Sequence, residues 1–315
     1  MAAYFQRSKL VIHSFAKINL FLKVLNKRPD NYHNIDTLFE RISLCDKMII
    51  KNRPDNLIKI TCDHPGVPLG ESNLCFKAAK LLRDTFGIEK GLDIGIFKHI
   101  PVGAGLGGGS SNAASVLIAL NRLWKLNLTR AKLAKLASRI GSDVSFFVYD
   151  APFARGRGRG EKIRVLNRPA KLTLWHLLVV PGIHVSTPVI YEYFDRLSGF
   201  VLAPTGNGAL GKQSAQGLTN PVSNVKISSS ELVRKFSISK PGFLYNSLEQ
   251  VTLKLYPEVR RVKEALAASG LNNVLMSGSG PAVFAVVPSG EKAAALVKRI
   301  KREKKPWQAF AVRTA

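Results

Sequence analysis

An α+β architecture in two domains is the fold this sequence predicts, on three observations. The chain has 315 residues, more than one ordinary core accommodates and enough for two. Segments with strand alternation and segments with helical periodicity are interleaved along it. Its character changes past Arg168-Pro169, which divides it into residues 1–168 and 169–315.

Residues 11–24 begin in alternation and become apolar, and 35–50 do the same. The polar stretch Lys27-Arg28-Pro29-Asp30-Asn31 between them reads as the turn of an antiparallel pair. Glu71-Ser72-Asn73 leads into an amphipathic run, 74–86, that Gly87 stops, as a helix requires. Residues 92–100 alternate as a strand, a glycine-rich loop follows, 112–124 and 130–140 read as helices, and 144–148 as a strand. In the second half, 172–180 is a strand and 189–197 a helix. Helices at 245–255 and 258–269, strands at 273–276 and 282–287, a helix at 291–302 and a strand at 308–312 complete an α+β domain. Between them, residues 203–230 are rich in Gly, Ser, Asn and Gln with little periodicity, which predicts a low-complexity loop.

Hydrophobic residues make up 46% of the chain and charged residues 22%, a globular balance rather than a disordered one. Cys45, Cys62 and Cys75 form no C-x-x-C pair, so neither a disulfide framework nor a zinc site is suggested, and they read as reduced thiols of a cytoplasmic protein. The first residues lack the apolar core of a secretory signal. No run approaches the roughly 18 apolar residues of a spanning helix, so no membrane partner is expected. The formal net charge of +26 reads in two ways: as a field for anionic partners, without separating nucleic acid from anionic membrane or phosphorylated metabolites, or as a general basic bias of solvated lysines.

The most informative segment is Pro101-Val102-Gly103-Ala104-Gly105-Leu106-Gly107-Gly108-Gly109-Ser110-Ser111-Asn112, between a strand and a helix. Glycines let the backbone approach a ligand closely, and the N–H groups that open the helix converge on an anion, which is how a phosphate is cradled. Gly103, Gly105 and Gly108 also satisfy G-x-G-x-x-G, but a dinucleotide fold needs an acid about 20 positions later. No Asp or Glu occurs between Ile94 and Ser142. A second decoy, residues 206–213, has phosphate-loop spacing until Gln213 stands where Ser or Thr is required.

The full form of the first loop, P-x-G-A-G-L-G-G-G-S-S-N-A-A, resembles the phosphate-binding motif of the GHMP kinase superfamily. Phe15-Ala16-Lys17-Ile18-Asn19-Leu20-Phe21-Leu22 resembles that superfamily's first motif, and Met276-Ser277-Gly278-Ser279-Gly280-Pro281-Ala282-Val283-Phe284 its third. Within it, Arg28-Pro29-Asp30-Asn31-Tyr32-His33, Asp36-Thr37-Leu38-Phe39, Gly141-Ser142-Asp143-Val144-Ser145-Phe146-Phe147, Thr187-Pro188-Val189-Ile190-Tyr191 and Tyr256-Pro257-Glu258-Val259 resemble the diphosphocytidyl-methylerythritol kinases. Phe15 and Ser145 stand where Pro is usual there, Ser247 where Asn-Asp or Asn-Gly is usual, and 203–230 looks like an insertion. The resemblance implies a two-domain GHMP kinase fold, an N-terminal domain like ribosomal protein S5 domain 2 and a ferredoxin-like C-terminal domain, with the active site between them.

It also implies roles. ATP would be held by the backbone of Gly103 to Ser111, with the Ser110 and Ser111 hydroxyls as added phosphate or Mg²⁺ contacts, the Mg²⁺ coming with the nucleotide. Asp143 would be the base that accepts the substrate hydroxyl's proton, with Lys17 beside it to hold it ionised and stabilise charge in transit. Tyr32 and Tyr191 would stack on the cytosine, His33 would meet a base edge, and Asn19 and Thr187 would hold polar groups of a small-molecule substrate, cytidine diphosphate methylerythritol. Read alone, Asp143 is as readily a helix cap, Lys17 a solvated lysine, and Tyr32, Tyr191 and His33 packing or turn residues. The alternative class is a nucleic-acid-binding protein, on the charge and on the RGG-like tract Arg155-Gly156-Arg157-Gly158-Arg159-Gly160. A single short tract is thin support, so no specific nucleic acid is expected.

Overall fold

The computed structural model describes residues 3–6, 9–167, 172–199 and 244–315. The boundary at 168/169, the low-complexity loop 203–230 and the phosphate-loop decoy 206–213 lie outside the described residues.

Strands β2 (Lys9–Lys27) and β3 (His33–Arg53) form a long antiparallel hairpin whose turn puts Asn31 at φ 62°. The first sheet runs β1 (Ala3–Gln6), β2, β3, β5 (Gly91–Phe97) and β4 (Ile58–Cys62). β6 (Phe153–Gly158) adds to β3, β7 (Lys162–Val165) to β6, and β9 (Tyr245–Asn246) to β2. Four helices belong to this half: α1 (Leu74–Phe86), α2 (Gly108–Leu123), α3 (Arg130–Ala137) and α4 (Val144–Tyr149). Asn73 caps α1 by accepting from the Cys75 N–H, and Gly87 ends it in the left-handed region, matching the reading of 74–86.

The second sheet has the order β10 (Val274–Met276), β11 (Val283–Val287), β8 (Trp175–Pro181), β12 (Trp307–Arg313), antiparallel throughout. Helices α5 (Thr187–Ser198), α6 (Glu249–Leu255) and α7 (Pro257–Ala268) lie between β8 and β10 in the chain, and α8 (Gly290–Arg302) lies between β11 and β12. Numbered along the chain, that order is 2-3-1-4, the ferredoxin-like arrangement that was expected.

One apolar core lies within the first half, a second joins the second half to Leu22, Val24 and Ile35 of β2 and β3, and a third cluster lies between the sheets. It joins Ala16, Ile18 and Leu38 of the first sheet to Leu178 and Phe284 of the second. A fully buried polar tie crosses there too: His176 Nε2 donates to Glu40 at 3.0 Å, and Thr314 Oγ1 donates to the same carboxylate at 2.6 Å. These contacts fix the cleft between the halves.

Two expectations are corrected. Residues 144–148 are helix α4, not a strand: the run is buried at every position, and a short run apolar all round carries no period to separate the two forms. Tyr245–Asn246 is a two-residue strand parallel to β2 at Phe21–Leu22, so the helix expected from 245 begins at Glu249. The Arg155–Gly160 tract is mostly β6, where Gly156 leaves room for the Phe39 ring, 2.6 Å from where a Cβ would stand. Arg155 is paired with Asp36 of β3.

Candidate active site

Lys17 and Asn19 sit two apart on β2 and therefore face the same side of the strand. The side chain of Lys17 is almost fully buried. Its Nζ donates to Asn19 Oδ1 at 2.7 Å and stands 3.4 Å from Asp143 Oδ2. An ammonium has three N–H donors, so one is left to turn toward the cleft. Asp143 stands just ahead of α4 but makes no capping bond to it, so the helix-cap reading fails. Its side chain is 32% exposed, and Oδ2 is the oxygen held by the lysine.

The glycine-rich loop reaches this pair through backbone bonds. Lys17 N–H donates to Leu106 O at 3.0 Å and Ala282 N–H to Ala104 O at 3.2 Å. Ala104 and Leu106 are anchored in the apolar cluster between the sheets. Gly105, at φ 75°, lies so close to the third motif that a Cβ would stand 2.7 Å from Gly280 O and 2.8 Å from Ser277 O. Gly107, at φ 70°, is the cap of α2 and supplies no side chain to its first turn. The opening N–H groups of α2 therefore remain unclaimed by any cap, and no acid occupies the first turn. That is an anion cradle.

Beneath the loop lies a buried polar network that the sequence reading missed. Asp46 of β3, fully buried, accepts from the backbone N–H groups of His99 and Ile100 at 2.8 Å each, from Asn112 Nδ2 at 2.9 Å and from Lys98 Nζ. It ties the end of β5 to the start of α2. Ser111 is also fully buried and accepts from Ser14 Oγ at 2.8 Å. Its hydroxyl does not reach the clefts, which corrects its expected role as a phosphate or metal contact; Ser110 stays on the loop's open side.

Two clefts meet at this loop. The larger, about 670 Å³, is lined by Lys17, Asn19, Tyr32, His33, Asp143, Thr187 and Tyr191, together with Gly105, Gly107 and Ser110. The smaller, about 340 Å³, is lined by all of 101–110 with Ser72, Asn73, Cys75 and Lys98. Gly105, Gly107 and Ser110 line both.

In the larger cleft, Tyr191 stacks on His33 at 4.8 Å with 26° between the rings. Its hydroxyl is pushed well above the ordinary phenol range by burial, and further by the charge of Asp143. Tyr32 is exposed, with the Arg159 guanidinium 4.7 Å from its ring centroid. Thr187 Oγ1 is 2.6 Å from Ser279 Oγ of the third motif. Asn19 is tied into the wall of this cleft. Its Oδ1 accepts from Lys17, its Nδ2 donates to Thr37 Oγ1 at 2.8 Å, and its backbone N–H donates to Ser277 Oγ at 3.2 Å. These bonds orient Lys17, and the amide, with one N–H and one lone pair still unused, also lines the larger cleft.

Arg159, Lys27 and Asp195, which line the larger cleft, and Asn246 are not among the site residues that the sequence predicts. Asn246 Nδ2 donates to Met276 O at 2.9 Å and Gly278 O at 2.7 Å, holding the third motif in shape. Position 247 had been noted only as a departure from the familiar Asn-Asp or Asn-Gly pair, and its neighbour Asn246 was the available signal.

Comparison with known proteins gives the family of the chain. Residues 73–151 match the family described as GHMP kinases N terminal domain, and residues 236–305 that described as GHMP kinases C terminal. A 4-diphosphocytidyl-2-C-methyl-D-erythritol kinase of Geobacillus sp. (strain WCH70) is 42% identical over 282 residues, covering 89% of this chain and 88% of the relative. One of the same name from Geobacter sp. (strain M21) is 38% identical over 306 residues, covering 97% and 99%. A crystal structure of 4-(cytidine 5'-diphospho)-2C-methyl-D-erythritol kinase superposes with a TM-score of 0.72 at 30% identity, covering 96% of this chain and 98% of that one.

Proposed function

The chain belongs to the 4-diphosphocytidyl-2-C-methyl-D-erythritol kinases of the GHMP family, and we propose that it transfers the γ-phosphoryl group of ATP to the 2-hydroxyl of 4-diphosphocytidyl-2-C-methyl-D-erythritol, as a cytoplasmic enzyme of non-mevalonate isoprenoid precursor synthesis. One observation supports the chemistry above all: two clefts share the wall Gly105, Gly107 and Ser110, beside the Lys17–Asp143 pair. A triphosphate in the smaller cleft would lay its terminal phosphate on the uncapped start of α2, facing an alcohol in the larger one.

Phosphoryl transfer demands little covalent chemistry of a protein; positioning and charge stabilisation do most of the work. Asp143 accepts the proton of the attacking hydroxyl, help typically worth roughly 10² to 10⁴ in rate. Lys17, aimed by Asn19 and Asp143, keeps its remaining N–H for the oxygens that gain charge as the phosphoryl group moves. Tyr32, Tyr191 and His33 form the far end of the acceptor cleft, where flat rings suit a pyrimidine. Thr187 closes the side next to the third motif.

Among the described residues, no group of three or more His, Cys, Asp or Glu is arranged to hold a metal. The donor set fits Mg²⁺ carried by the nucleotide's own phosphates, with Ser110 as the side chain nearest to hand, rather than a resident metal centre. Bound there, the cation would neutralise phosphate charge.

ADP release is the test, measured with ATP, Mg²⁺ and the cytidylyl substrate beside mevalonate, homoserine and galactose. Turnover of the cytidylyl alcohol alone is expected. Asp143→Asn should lower kcat by roughly 10² to 10⁴ with unchanged thermal melting, because the carboxylate caps nothing. An Asn variant with wild-type kcat would sink the role of Asp143, and turnover of another alcohol would overturn the substrate.

A further inference from the structure

The acceptor cleft contains a group of side chains that phosphoryl transfer leaves unused. His33, at the start of β3, is buried, and its Nε2 lies 2.6 Å from Asp195 Oδ1 on α5. Lys27, at the end of β2, holds the other oxygen of that carboxylate at 2.7 Å. Tyr191 precedes Asp195 by one helical turn, and by stacking on His33 it fixes the plane of the ring. A carboxylate oxygen only accepts, so Nε2 carries the proton, and in the neutral ring Nδ1 is left as a bare acceptor. Nδ1 makes no hydrogen bond to any described residue and is not among the side-chain nitrogens sealed without a partner. The ring lines the cleft, so this nitrogen is open to a ligand. His176 makes the comparable pairing with Glu40 in the core, and there the second nitrogen is sealed.

We infer that Asp195 is a positioning residue that sets the tautomer of His33, and through it the preference of the cleft for a base edge bearing an amino group over one bearing a carbonyl. The inference rests on the assignment of the cleft to a cytidine diphosphate alcohol. Cytosine carries an exocyclic amine where uracil carries a carbonyl oxygen. The amine donates to Nδ1; the carbonyl would set one lone pair against another, leaving two acceptors facing each other in a half-enclosed site. Lys27 completes the device by holding the far oxygen of Asp195, which keeps the near one turned to the ring. Nothing local in the sequence announces this, because 162 residues separate His33 from Asp195.

The experiment compares the cytidine diphosphate substrate with its uridine diphosphate counterpart in the wild type and in Asp195→Asn, Asp195→Leu and Lys27→Met, together with ¹⁵N NMR of histidine-labelled protein. The wild type is expected to prefer the cytidine form by on the order of 10² in kcat/KM, mostly through KM. Asp195→Asn is expected to reduce that ratio at least tenfold, because an amide can donate to Nε2 and let Nδ1 take the proton. Lys27→Met should reduce it about threefold. In the spectrum, wild-type His33 should show a protonated Nε2 and a bare Nδ1. Equal losses on both substrates in the Asp195 variants, with the ratio unchanged, would reduce Asp195 to a structural prop and overturn the inference. A doubly protonated His33 in the wild type would overturn it as well, and that reading survives even where an Asp195 variant does not fold. Turnover of neither nucleotide by the wild type would overturn the assigned reaction and this inference with it. Turnover of the cytidine form with a ratio indifferent to Asp195 would overturn the inference alone.

Discussion

Substituting Gly105 by Ala tests the coupling between the phosphate loop and the third motif. At φ 75° an L-residue is strained, by about 1–2 kcal/mol. The added Cβ would also stand 2.7 Å from Gly280 O and 2.8 Å from Ser277 O, where ordinary contact begins at 3.4 Å. The two segments must part by roughly 0.7 Å in an interior packed too closely to absorb it, and overpacking of this kind costs about 1–3 kcal/mol. Together these give roughly 2–5 kcal/mol, a large part of a typical domain's stability yet short of all of it. The displacement falls on the wall between the two clefts. A misplacement of about 1 Å costs on the order of 10² in rate, so kcat/KM for ATP should drop by roughly 10- to 100-fold. Gly109→Ala is the contrast. That glycine has no positive φ, and a Cβ there meets nothing closer than Leu74 Cδ1 at 3.7 Å, so its stability should hold or rise by about 0.5–1 kcal/mol. Thermal melting and initial-rate kinetics on the two variants decide the matter. A Gly105→Ala enzyme with a wild-type midpoint and kcat/KM within about threefold would refute the claim that the loop and the third motif are held in register by that contact.

Two further outcomes follow from the same geometry. Asp46→Ala removes the acceptor of two backbone N–H groups, an amide and a buried lysine; urea unfolding should show a loss of about 3–5 kcal/mol. Glu258, at the start of α7, is held below its ordinary value of 4.5, first by the Trp307 indole N–H at 2.7 Å and then by Arg261. A carboxylate with a lowered folded pKa contributes stability that is present above 4.5 and lost as pH falls through the folded value. Melting followed by tryptophan fluorescence should therefore show an acid-side loss that is smaller in Glu258→Gln.

What the sequence reveals is what depends on neighbours in the chain. The helix 74–86 was legible at both ends because Asn73 and Gly87 are local signals. The glycine-rich loop was legible as a strand-to-helix turn because Gly107 answers to one helix start, whereas the close approach that requires Gly105 comes from the distant third motif. Helix α4 was not, since a buried run of five carries no period, and tertiary packing against Phe39 and α3 decided its form. Strand β9 is two residues long and exists only because β2 offers an edge. Asn19 and Ser111 were read as ligand contacts from their place in motifs. Their partners, Thr37, Ser277 and Ser14, are distant enough in sequence that only the folded chain could show those groups already engaged.

Charge makes the same point from the other direction. With 47 basic residues against 21 acidic ones, a lysine or arginine carries little information, whereas a buried acid carries a great deal. Burying a carboxylate is costly unless donors surround it. Asp46, Glu40 and Asp195 are all buried; the first fixes Lys98 beneath the loop, the second ties the two sheets together, and the third holds Lys27 and His33 at the acceptor cleft. Asp143, partly exposed, faces Lys17. Each stands where a cation or an imidazole has to be kept still for the two clefts to stay aligned. In a chain this basic, these buried acids therefore mark the geometry that keeps the two clefts aligned.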